Sequence, residues 1–318
     1  MNPEEARKEV QSAADVLMIR PTRFAGNLQT LESNRFQART SALSHEQAQR
    51  AALAEFDGLA TALQHAGVSV HAFDDTPDPH TPDSIFPNNW VSFHADGLVV
   101  LYPMLAGNRR QERREDLLEA LSSRHGFRIT RVLDLTHHEG GGKFLEGTGS
   151  LVLDRVHRIA YACVSPRTDL DVLGDFAQQL DYEVIAFEAC DAGAAPIYHT
   201  NVLMSVGTRF AAVCSASIRE DERAGVLDAL RSTSHAIVDL TLEQMAGFAG
   251  NLLELQSASS GTVVAMSSRA LDVLTPQQRA TLEEHGGPLV AAPIPTIETL
   301  GGGSVRCMLA EIHLPKKK

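Results

Sequence analysis

Apolar and polar positions recur along the chain in one order: a strand-like run, a turn, a second strand-like run and a charged helical stretch. The first instance covers 85–93, turns at Ala95-Asp96-Gly97, continues through 98–102 and passes into a helix over 108–123. The second runs 144–153, turns at Asp154-Arg155, resumes at 158–162 and predicts a helix over 169–180. The third covers 197–204, turns at Gly207-Thr208, continues through 210–214 and leads to a helix at 221–230. The fourth covers 248–255, turns at 259–261, continues through 262–266 and ends in a helix at 276–284. Alternation and turn residues identify the strands, and the fixed order identifies a repeat.

A fifth copy opens at 305–312. The early strand 15–20, with a helix at 45–66, is available to complete it. Repeat starts at Phe86, Phe144, Tyr198, Phe248 and Val305 are 58, 54, 50 and 57 residues apart. A further strand separates each helix from the next repeat, as in 68–73 and 182–187, so the unit is ββαβ. Such a unit cannot bury both faces alone and must pack against neighbours in a ring. The pattern predicts one α/β domain over 1–318. It also puts Asn89, Glu146, His199, Asn251 and Cys307 at matching strand ends, where fivefold arrangement brings them to one central mouth.

Composition narrows the chemistry. The 318 residues are 43% hydrophobic and carry a formal charge of −12, so counterion release gives no drive towards nucleic acid or anionic membrane. The four cysteines, Cys163, Cys190, Cys214 and Cys307, form no CxxC pair and are too sparse for a disulfide scaffold. The first 14 residues lack an apolar signal core and no apolar run reaches membrane-spanning length. A cytoplasmic protein with a small-molecule partner is expected, a homo-oligomer being left open. The tail Lys316-Lys317-Lys318 is read as solvated.

A free cysteine is usually a small buried hydrophobe. Cys307 differs by its setting, after Gly301-Gly302-Gly303 and beside Arg306. Its thiolate is the nucleophile, favoured by a nearby cation. His199 is the candidate general acid and base. Glu146 suits a planar N–C–N group through two hydrogen bonds, and Asp83 supports the site or caps a turn. Arg20, Arg23 and Arg306 are candidates for a carboxylate clamp. Gly140-Gly141-Gly142-Lys143 lacks phosphate-loop spacing and is read as a mobile loop at the site entrance.

Together these marks resemble the pentein superfamily of guanidine-modifying enzymes. They include Phe24 with Asn27, Gln29 and Thr30; Asp83 to Trp90; Tyr198-His199-Thr200-Asn201-Val202; and the terminal Cys307 motif. The resemblance covers nearly the full chain and looks closest to the citrulline-utilisation (CtlX-type) amidinotransferase-like branch. It implies a five-bladed α/β propeller, Cys307 attacking a guanidinium or ureido carbon, His199 moving protons, Glu146 holding substrate nitrogens and orienting His199, and no metal or organic cofactor.

Two positions depart from the resemblance. Many guanidinium-acting members carry Asp where Asn89 ends Phe86-Pro87-Asn88-Asn89, and His-x-Asp where this chain has His199-Thr200-Asn201. A buried cation without matching anions is costly, whereas an amide offers the donors and acceptors a neutral ureido group needs. The expected reaction is citrulline hydrolysis, with Asp83, Asn89, Asn201 and Asn251 binding substrate. The alternatives are an arginine deiminase, an amidinotransferase or a catalytically silent amino-acid-binding propeller.

Overall fold

The computed structural model describes residues 9–317. Fifteen strands form five three-stranded sheets. They are β1 (Asp15–Arg20), β2 (Ser69–Asp74), β3 (Val91–Phe93), β4 (Leu98–Leu101), β5 (Arg131–Asp134), β6 (Leu151–Asp154), β7 (Ile159–Cys163), β8 (Glu183–Phe187), β9 (Met204–Val206), β10 (Phe210–Val213), β11 (Ala236–Asp239), β12 (Leu253–Ser257), β13 (Gly261–Ser267), β14 (Leu289–Ala292) and β15 (Ala310–Ile312). Each sheet has the same grammar. A short inner strand pairs antiparallel with a middle strand, which pairs parallel with an outer strand reached through a helix, as in β6-β7-β8. Parallel neighbours need such a crossover.

The ring closes through residues far apart in sequence. β15 pairs antiparallel with β1, with Asp15 opposite Ile312 and Leu17 opposite Ala310, and β1 pairs parallel with β2. Inner strands of adjacent sheets touch, β15 with β3, β6 with β9 and β9 with β12. This is the five-bladed α/β propeller of the pentein fold.

Helices cover the outside and seal the apolar layers. The helix His45–His65 buries Ala48, Ala52, Phe56, Leu59 and Leu63, one stripe at helical spacing. Ser44 and Gln47 close a capping box at its start. Its stripe joins Val16, Met18, Ile297 and Leu309 in the core beneath Cys307. Each large apolar side chain buried there contributes about 1.5–3 kcal/mol, which holds the backbone at Cys307 in place.

The repeat starts are not strands from their first residue. The polar stretches before β3, β6, β9, β12 and β15 are single helical turns, closed by Asn89 N–H to Phe86 O, Gly149 N–H to Glu146 O, Val202 N–H to His199 O, Asn251 N–H to Phe248 O and Cys307 N–H to Ser304 O. Pro87 begins one turn, and Gly147 enters another at φ +48°. Buried near the axis, these backbones need internal partners, and a turn supplies them. The proposed match of five side chains therefore mixes two levels. Asn89, Asn251 and Cys307 close their turns, whereas Glu146 and His199 open theirs.

The described lysines of the basic tail, Lys316 and Lys317, are exposed as expected, with Lys316 3.3 Å from the Phe127 ring centroid and Lys317 donating to Ser122 O at 2.8 Å. Residues 1–8 and Lys318 lie outside the described residues. The triple-glycine run 140–142 ends a 3-10 turn, Thr136–Gly141, and Lys143 is paired with Asp171. None of these residues lines the site cavity. Among the described residues, no helix is long and apolar enough to cross a membrane.

Candidate active site

The turns that open the inner strands converge on a small cavity lined by Cys307, His199, Asn89, Asp83, Arg109 and Arg167, with Phe86, Tyr198, Asn34 and Gly301–Gly303 around them. Cys307 sits in the turn Val305–Met308 and is 3% exposed. Gly302 adopts φ +65°, and a Cβ there would come within 2.6 Å of the Asn34 amide. Asn34 donates to the carbonyls of Gly301 and Gly302 (3.4 and 3.2 Å), while Tyr198 Oη donates to Gly302 O at 2.6 Å. The glycines thus let a polar loop approach the loop that carries Cys307.

Two amides hold the sulfur. Asn251 Nδ2 donates to Cys307 Sγ at 3.2 Å and Asn201 Nδ2 at 3.4 Å. Asn251 Nδ2 also donates to the backbone carbonyl of Asn201 at 2.8 Å, which orients the Asn251 amide.

His199 and Glu146 form a fully buried pair, His199 Nε2 to Glu146 Oε2, 2.9 Å. Burial pushes His199 down to about 4, because the charged imidazolium loses more hydration than Glu146 returns. Burial opposes ionisation of Glu146 as well. Arg167, His199 and Arg109 outweigh it and hold the carboxylate well below its ordinary range. A neutral His199 facing a carboxylate through Nε2 carries its proton there, leaving Nδ1 as a hydrogen-bond acceptor. Leu105 N–H and Arg167 Nη1 complete the bonds to Glu146, at 3.1 and 3.3 Å.

Two buried arginines flank the pair. Arg109 forms a two-pronged bond to Glu112 (2.9 and 2.9 Å) and donates to Asn89 Oδ1 at 2.9 Å. Arg167 lies over the Tyr198 ring at 4.9 Å and donates to Ser33 Oγ at 2.7 Å. With its carbonyl turned to Arg109, Asn89 has a buried Nδ2 without a partner. Asp83 accepts from Asn27 Nδ2 at 2.8 Å through Oδ2, and its buried Oδ1 has no partner. Burial raises Asp83 from its ordinary value, with Arg109 opposing.

The structure thus brings together Cys307, His199, Glu146, Asp83, Asn89, Asn201 and Asn251. It separates the three proposed clamp arginines from them. Arg20 is paired with Asp57 at 2.8 Å on the surface, and exposed Arg23 donates to Pro77 O. Arg306 turns away along the chain to Leu309 O and Glu311. In their place stand Arg109 and Arg167, which the sequence hid: one in a charged stretch, the other in the loop Ser165-Pro166-Arg167. Neither position carries a local signal. Among the described residues, His137, His138 and Asp175 form the one group with donors in metal-ligand reach, and none lines this cavity.

Fold and site together define a pentein. The family model described as "N,N dimethylarginine dimethylhydrolase, eukaryotic" matches residues 20–314, and the chain belongs to that family. A search of curated proteins gives no significant match. Among solved structures, apo ArgZ, an arginine dihydrolase from the ornithine-ammonia cycle in cyanobacteria, aligns with TM-score 0.72 at 18% identity, over 95% of this chain and 41% of ArgZ. Unliganded AgrE aligns with TM-score 0.72 at 19% identity, over 96% of this chain and 40% of AgrE. The chain thus spans about two fifths of each, but it covers 99% of the ArgZ N-terminal domain, with TM-score 0.71 at 18% identity over 94% of this chain. A dimethylarginine dimethylaminohydrolase in adduct with S-methyl-L-thiocitrulline aligns with TM-score 0.61 at 15% identity, over 94% of this chain and 99% of that one. These likenesses establish the fold.

Proposed function

We propose that the protein is a cysteine-dependent hydrolase of ureido amino acids that converts citrulline and water to ornithine, ammonia and carbon dioxide. The observation that carries this reading is Asn89. Its carbonyl is committed to Arg109, so the face left free is an N–H donor with no partner. A donor suits the carbonyl oxygen of a urea and, better still, the oxyanion formed when that carbonyl is attacked. Attack on a guanidinium generates no oxyanion. Glu112 and Glu146 are already committed to Arg109 and Arg167, so neither carboxylate is free to balance a cationic reacting group.

In this reading Cys307 Sγ adds to the ureido carbon, and the thiol proton passes to His199 Nδ1. The tetrahedral adduct expels ammonia, protonated by His199, leaving a thiocarbamate between Sγ and the substrate. Water, deprotonated by His199, attacks the same carbon and the sulfur leaves as thiol. The carbamate released loses carbon dioxide to give ornithine. Glu146 keeps His199 in the required tautomer, and Arg167 takes the substrate carboxylate.

A second reading, arginine as substrate, is favoured by one atom: the unpartnered Asp83 Oδ1 would accept a guanidinium N–H. The terminal NH2 of citrulline offers a donor there too. Purified protein incubated with citrulline, arginine and dimethylarginine separates the readings. Ornithine from citrulline, abolished in Cys307→Ala, supports the first. Citrulline from arginine, with citrulline itself inert, overturns it.

A further inference from the structure

We propose that His137, His138 and Asp175 form a binding site for a transition-metal ion of the zinc class, outside the catalytic cavity. Their donor atoms all lie within 4.8 Å of one another. A tetrahedral ion with bonds of about 2.0–2.1 Å needs donors about 3.3 Å apart. His138 Nε2 and Asp175 Oδ2 are already 3.0 Å apart, so an ion can replace the proton they share.

Three features make this more than a surface cluster. First, His137 Nδ1 bonds Asp134 O at 3.0 Å, leaving Nε2 as the ligand atom. A backbone carbonyl on the second ring nitrogen is the usual way a metal-binding imidazole is oriented. Second, the turn bearing both histidines is already docked on the helix Leu170–Leu180 that bears Asp175. Lys143 pairs with Asp171, one helical turn before Asp175 on the same face. Third, a Cβ at Gly140, Gly141 or Gly142 would meet nothing within 4 Å. The glycine run has open space in which the turn can close the remaining gap. Two imidazoles and one carboxylate suit zinc, cobalt or nickel better than calcium or magnesium. The half-exposed setting leaves water to complete the coordination.

The site abuts the catalytic one through the backbone. Glu139, next to His138, accepts from Met104 N–H at 2.9 Å and pairs with Arg113 at 2.6 Å, and Leu105 N–H holds Glu146. An ion clamping this turn to the helix braces the segment that carries a bond to the general base's partner.

The test is equilibrium dialysis of the untagged full chain against zinc, with cobalt absorption as the coordination readout, in wild type, Cys307→Ala, His137→Ala, His138→Ala and Asp175→Asn. The expected result is one equivalent bound in wild type and in Cys307→Ala. Affinity should fall at least tenfold in His138→Ala and Asp175→Asn, with a tetrahedral cobalt band lost in both. Metal-free melting temperatures establish that the variants fold, and Asp175→Asn keeps a hydrogen-bonding partner for His138. Binding lost in Cys307→Ala but kept in His138→Ala overturns the proposal and assigns the metal to the catalytic thiol. Wild-type binding weaker than millimolar also overturns it.

Discussion

Asn89→Asp tests the assignment of the reacting group most directly. The substitution changes one atom's chemistry at a side chain 2% exposed. The oxygen that accepts from Arg109 at 2.9 Å is retained, so Arg109 stays in place on Glu112. The unpartnered N–H becomes a carboxylate oxygen. If that N–H stabilises an oxyanion, its removal costs about 2.7–4 kcal/mol in the transition state, or roughly 10²–10³ in kcat for citrulline. The same oxygen faces a guanidinium favourably, so arginine turnover should rise above the wild-type level. Asp83 and Glu146 stand in the same cluster, so like charges crowd the site. Folding must therefore be checked by melting temperature before rates are compared. The assay is ornithine and ammonia release from citrulline, beside citrulline release from arginine. A folded Asn89→Asp variant that hydrolyses citrulline within threefold of wild type refutes the oxyanion argument.

Gly149→Ala should abolish turnover, because its Cβ would lie 2.3 Å from Asn89 Nδ2 and 2.7 Å from His199 Nδ1; wild-type kcat in this variant contradicts the geometry given for both residues. Arg167→Lys, which cannot keep its bonds to Glu146 and Ser33 together, should raise KM for citrulline more than tenfold with a smaller loss in kcat, and a KM within twofold of wild type removes Arg167 from carboxylate binding. His199 titrates near 4 when folded and near 6.5 when unfolded, so between those values the unfolded chain binds more protons and stability falls as pH falls. Relative to His199→Gln, the wild type should therefore lose stability on the order of 2 kcal/mol between pH 7 and pH 5 in urea titrations, and a pH-independent difference counts against a neutral His199.

Much of the architecture was legible because strand alternation and helix stripes are local. The ββαβ order and the pairing of 15–20 with the fifth repeat could be read from runs such as Val16-Leu17-Met18-Ile19. The short turns before the inner strands were not legible. Tyr198 to Leu203 runs without a turn residue such as Gly or Pro into the strand at Met204, and only burial of its backbone at the axis makes it a turn. Cys307, His199 and Glu146 announced themselves through their neighbours in sequence. Arg167 and Arg109 did not, since one arginine in a polar stretch looks like any other until Tyr198, Glu112 and Asn89 close round it. Arg306 shows the converse: adjacency to Cys307 made it a candidate, while its guanidinium turns away from the thiol towards Glu311.

The sheet that follows Cys307 is built from residues about three hundred positions apart, β1 near the start and β15 beyond Cys307. During synthesis the other four blades can be assembled while β1 and β2 wait without their inner partner. Cys307 is translated late and meets Asn201 and Asn251 only when the ring shuts. A chain that stops short of Ala310 leaves β1 without its inner partner, so the cavity around Cys307 is complete only once the ring has shut.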